Sequence, residues 1–207
     1  VYKRQEIMED KKRREIKEER TAASKLFENE DHSFTKEIYL DDVHYQDEEG
    51  IWQEMDDTLT EEMDEDTEAD QEENMAEEYA ARERAEKDFA NRKGKWKVVF
   101  RKHSRKQGTV SVTKDAYKIS WALENAEKVK AEETGTNTVL YPDILPGTDS
   151  RFYVRGKNIK EDIILKTPEA IGSFTWLYHT KKLHPVAGNS CVRFVNNAAV
   201  SYTHLRA

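Results

Sequence analysis

Residues 138–166, TVLYPDILPGTDSRFYVRGKNIKEDIILK, hold the densest run of strand and turn signals in the chain. Thr138 to Tyr141 is a short β-branched and apolar run stopped by Pro142, and Pro146-Gly147 followed by Asp149 supplies fixed and positive φ for a reversal. Phe152 and Val154, then Ile159, Ile163 and Leu165, alternate on either side of Gly156-Lys157-Asn158, as a hairpin with one buried face requires. A chain built around such a stretch is expected to be antiparallel β.

The flanking segments repeat the pattern. Phe34, Lys36, Ile38 and Leu40 alternate with Thr35, Glu37 and Tyr39, and Val43-His44-Tyr45 and Ile51-Trp52-Gln53 flank a loop ending in Gly50. Trp96 to Phe100, Thr109 to Val112 and Tyr117 to Leu123 read as further strands, as do the aromatic run Phe174, Trp176, Tyr178 and a last one at 191–195. The expectation is a mostly β module over 24–198, an antiparallel β-sandwich or curved sheet of about ten strands. No strand–helix–strand alternation is present.

Two segments depart from that period. Residues 6–23 are almost wholly charged, with Lys, Arg and Glu at helical spacing, and are expected to form a helical or disordered linker. Residues 61–92 begin acidic and continue with helix formers carrying a thin stripe of Met75, Tyr79 and Phe89, so an acidic, helical insertion outside the sheet is expected. These runs explain why 37% of the 207 residues are charged and only 36% hydrophobic.

The net charge of -8 is unevenly spread: no Lys or Arg falls between Glu54 and Ala81, whereas 92–106 is strongly basic. The acidic balance argues against nucleic acid as a partner. The single cysteine, Cys191, excludes an internal disulfide framework. No apolar run approaches the about 20 residues of a membrane-spanning helix.

The ends have a separate reading. Val1 to Gln5 can be encoded as GTGTATAAGAGACAG, whose reverse complement also lies within an encoding of Ala199 to His204, GCTGTCTCTTATACACAT. The match resembles the transposon-end adapter of fragmented DNA libraries, so 1–5 and 199–207 are expected to be translated adapter flanking a metagenomic fragment.

The candidates for chemistry are few. His44, His103, His179 and His184 are scattered without metal-ligand spacing, and Asp41-Asp42 and Asp47-Glu48-Glu49 lack the ligand order of a calcium loop. Trp52, Trp96, Trp121 and Trp176 sit in alternating strands where core packing is the default, although clustered on one surface they would suit a sugar. Cys191 beside His184 has nothing in sequence to activate its thiol. No catalytic, metal or cofactor site is therefore expected, and no cofactor.

FENEDHSFTKEIYLDDVHYQDEEGIWQEMDDTL, GTVSVTKDAYKISWAL and NTVLYPDILPGTDSRFYVRGKNIKEDIILKTPEA, in that order and spacing, resemble the N-terminal region of large secreted Gram-positive proteins with RHS repeats, including wall-associated and DNRLRE-domain types. The resemblance covers about residues 24–195. It implies a location outside the cell or at its surface, repeats and any C-terminal toxin lying beyond this chain, and 61–92 as an insertion where the family has a short connection. The expected function is a non-catalytic structural β module, not an enzyme, whose partners are other domains of the same longer polypeptide. A sandwich binding cell-wall glycan or calcium is the alternative, and a hydrolase the second alternative.

Overall fold

The computed structural model describes residues 13–62, 87–170, 172–188 and 191–197 with their side chains, and the backbone of 201–206. The chain divides into two compact units, Val1–Met55 and Asp56–Ala207. It is mostly β and antiparallel, as expected. Among the described residues the helical elements are two three-residue 3-10 turns, Lys17–Glu19 and Pro168–Ala170, and no helix is long and apolar enough to cross a membrane.

In the first unit, β1 (Arg14–Glu15), β2 (Ser24–Glu28) and β3 (Phe34–Ile38) form a sheet in that order, and β4 (His44–Gln46) pairs with β5 (Trp52–Glu54). The helical reading of 6–23 is corrected where the structure describes it. Ile16 donates its N–H to the Leu26 carbonyl at 2.8 Å, which commits the segment to the sheet. Arg20, buried, makes two 2.7 Å bonds to the Glu15 carboxylate, so the charges that suggested helical ion pairs close a turn instead. The β4–β5 loop is shaped by Asp47, whose Oδ1 accepts the N–H groups of Glu49 at 3.1 Å and Ile51 at 2.9 Å, with Gly50 at φ 79°.

In the second unit, β6 (Asp56–Glu62), β7 (Asp88–Lys93), β8 (Lys97–Phe100), β9 (Val110–Lys114) and β10 (Tyr117–Leu123) lie side by side, and β15 (Trp176–Lys181) pairs with β10 to complete a six-stranded sheet. A second sheet runs β11 (Glu132–Gly135), β12 (Thr138–Leu145), β13 (Thr148–Arg155), β14 (Asn158–Leu165). A third joins β16 (His184–Ala187), β17 (Cys191–Val195) and β18 (Ser201–Arg206). The first two pack face to face. Phe100 of β8 meets Phe152 of β13 with ring centroids 5.6 Å apart, and Tyr141 of β12 meets the same ring edge-on at 5.9 Å. Val110, Ile119, Trp121, Leu123, Val139, Ile144 and Val154 fill the space around them. Each such side chain contributes roughly 1.5–3 kcal/mol by leaving water.

The central stretch folds as its turns dictate, with Gly147 at φ 66° and Gly156 at φ 56°. Pro142 does not stop β12, however. The strand continues to Leu145 across a register irregularity after Tyr141, with Asp143 at φ 49°, and a proline is tolerated at such a bulge because no ladder donor is lost there.

The insertion reading of 61–92 is corrected at both ends. Glu61 and Glu62 end β6, and 88–92 lie in β7, with Asp88, Phe89, Ala90 and Asn91 buried. Phe89 belongs to the core. Asp88 is held by a 2.7 Å ion pair with the buried Arg101. Residues 63–86, including Met75 and Tyr79, lie outside the described residues, as does 1–5. The segment 199–207 contains β18, whose backbone pairs with β17.

Candidate functional site

The residues weighed for chemistry do not converge. His44 is buried and its Nδ1 is 2.7 Å from the Thr21 carbonyl. His103 sits in a bridge with Lys130, while His179 and His184 are exposed on β15 and β16. Cys191, half-buried, is at the opposite end of the β16–β17 ladder from His184, which pairs with Val195. Asp47 spends its carboxylate on its own loop, and among the described residues no group of three or more His, Cys, Asp or Glu is placed to hold a metal ion. Of the tryptophans, Trp121 is buried in the core, and Trp176 packs against it from the edge. Trp52 and Trp96 are half-buried, the latter with Lys114 5.8 Å from its ring.

Trp121 and Trp176 meet at Glu161. Glu161 stands opposite Phe152 on the inner face of β14. Its two oxygens accept from the Ser150 hydroxyl at 2.8 Å and the Trp176 indole N–H at 3.0 Å. Burial pushes its carboxyl above the usual range, while the bonds from Ser150, Trp176 and Trp121 pull the other way. The Tyr178 hydroxyl is raised too, by burial first and then by the Glu161 charge. A half-buried acid in an aromatic frame was invisible in sequence because its neighbours come from three other strands.

A concave surface of the second unit lies elsewhere, where the turn at 105–108 meets the one at 125–128. It encloses about 630 Å³ and is lined by Ser104 to Gln107 and Asn125 to Lys128. The chain that leads to it is anchored in the core: Asp88 accepts from Arg101 and from the Lys102 N–H, each at 2.7 Å, and the buried Tyr141 hydroxyl donates to the Arg101 carbonyl at 2.7 Å. Beyond it, the buried Ser104 donates its hydroxyl to the Glu127 carbonyl at 2.5 Å and accepts the Val129 N–H at 2.8 Å. Ala131 donates to the Lys102 carbonyl at 2.8 Å, so the two segments are zipped together. Arg105, Lys106 and Lys128 bring positive charge to the rim, against Glu127 alone among the lining residues. Such a surface can hold anions.

A smaller concavity of about 420 Å³ in the first unit is lined by Arg13, Arg14, Glu28 and neighbours. Its cations are already spent: Arg13 pairs with Glu37 and Arg14 with Glu28, each at 2.7 Å.

No family model and no solved structure matches the chain. It is similar to the tRNA(Glu)-specific nuclease WapA of Bacillus subtilis subsp. natto (strain BEST195), the tRNA3(Ser)-specific nuclease WapA of Bacillus spizizenii, and the tRNA nuclease WapA of Bacillus subtilis (strain 168). Each is 25% identical over 167 residues, 80% of this chain, and the chain spans 7% of the length of each relative. Similarity to proteins named as nucleases overturns three expectations: a non-catalytic structural module, no enzyme, and no nucleic acid among the partners. A net charge of -8 averages an acidic run over a local basic surface, and a polyanion meets the local field, so overall charge does not exclude a nucleic acid.

Proposed function

We propose that this chain is part of an exported nuclease that acts on tRNA, of the RHS-repeat, wall-associated kind that its sequence resembles. The observation that carries the reading is the similarity over 167 residues to three proteins each named as a tRNA nuclease. The basic concavity agrees with it, since RNA presents a chain of phosphates to any protein that handles it. The test is to purify the full gene product to which the chain belongs and incubate it with total tRNA on denaturing gels. Discrete cleavage products are expected, and the product is expected in the wall or medium fraction of the producing cell. Intact tRNA under conditions in which the Bacillus subtilis relative cuts would refute the reading.

A further inference from the structure

We propose that the concavity between the 105–108 and 125–128 turns is a binding surface for the phosphodiester backbone of RNA. The proposal rests on the reading of the protein as one that acts on tRNA, and it names a place on this chain where that RNA is held.

Charge is the first ground. Several other cations of the second unit are committed to carboxylates: Arg92 to Asp56, Lys97 to Glu62, Lys102 to Glu61, Lys166 to Asp143 and Asp149. Among the described residues Arg105 and Lys106 have no carboxylate within ion-pair distance, and both line the concavity with Lys128. Gln107 and Asn125 add neutral amide groups beside them. Cations with amide donors around a hollow suit phosphate and sugar oxygens. Among the described residues that line the surface none is aromatic, so these offer no platform on which bases stack, and backbone recognition with little sequence preference is expected of them.

Shape is the second ground. The hollow is set by the fold and does not depend on the ligand. Ser104 ties its two walls through both of its hydroxyl bonds. The 105–108 turn closes with the Gly108 N–H on the Arg105 carbonyl at 3.2 Å. Gly108 then takes φ +136° at a point where a Cβ would lie 2.6 Å from the Ser120 Cβ. Ser120 in turn donates to the Gln107 carbonyl at 3.3 Å, which fixes the tip of the turn against β10. Cations on a backbone held in this way bind without first paying to order it.

The test uses the full 207-residue chain and a tRNA transcript as probe, followed by fluorescence anisotropy over a range of salt. Binding is expected at low salt and is expected to weaken as salt rises, because phosphate contacts release counterions. The Lys106→Glu, Lys128→Glu double variant should bind at least about tenfold more weakly and lose about 2 from the slope of log K against log salt. A control double variant, Lys36→Glu with Lys181→Glu, changes net charge equally at exposed positions outside the concavity and should bind like the parent. Thermal melts establish that both variants fold. A parent chain that does not bind tRNA, or a control that loses as much affinity as the concavity variant, overturns the proposal. Failure of the nuclease reading is seen separately, as absence of cleavage by the full gene product, with binding by this chain intact.

Discussion

Glu161 illustrates how a single side chain can hold a pH dependence that no neighbour in sequence announces. Its carboxyl is raised by burial, so the folded chain binds that proton more tightly than the unfolded chain does. The stabilising contribution is fully present below the ordinary carboxylate range and is lost as pH rises through the raised folded value. Glu161→Gln removes the charge while keeping an oxygen for the Trp176 N–H and an amide for Ser150. The variant is expected to gain stability over the parent at neutral pH and to gain less at acidic pH, measured by urea unfolding at both. An advantage independent of pH would show that burial of the charge is not the cause. Glu15 has the opposite sign, held low first by its bond from Arg20, and its contribution is lost as pH falls.

At the scale of elements, β6 and β7 decide how the acidic run behaves. Glu62 and Asp88 are register partners at the end of that pair, so the chain leaves and re-enters the sheet at adjacent positions. Joining Glu62 to Lys87 with a short Gly-Ser linker should therefore keep the second unit folded, since closing so small a gap costs little loop entropy. Replacing 61–91 in the same way removes most of β7, with Phe89 and the Asp88 partner of Arg101, and should unfold it. Breaking that buried pair alone costs about 3–5 kcal/mol. Circular dichroism and thermal melts of the two deletions check this, and equal stability would show that β7 is dispensable. The strand at the far end of this region was not legible in the sequence. Asp88 to Lys93, DFANRK, has one large apolar side chain and no alternation, so its burial depends on β6 and β8 beside it.

For the whole molecule, the division into Val1–Met55 and Asp56–Ala207 places the whole basic concavity in the second unit. A chain of 56–207 is expected to keep the salt-dependent binding of tRNA and 1–55 to lack it; binding by 1–55 alone would move the surface to the first unit. The sequence by itself determined the class of fold and the hairpins of β12 to β14, because alternation and positive-φ glycines act between residues close in the chain. Tertiary structure alone decided that Asp88 to Asn91 are buried in a strand, that Glu161 meets Trp121 and Trp176, and that the 105–108 and 125–128 turns form one hollow. Those arrangements join segments tens of residues apart, and their stability lies in burial and pairing across sheets, which leave no period in either segment by itself.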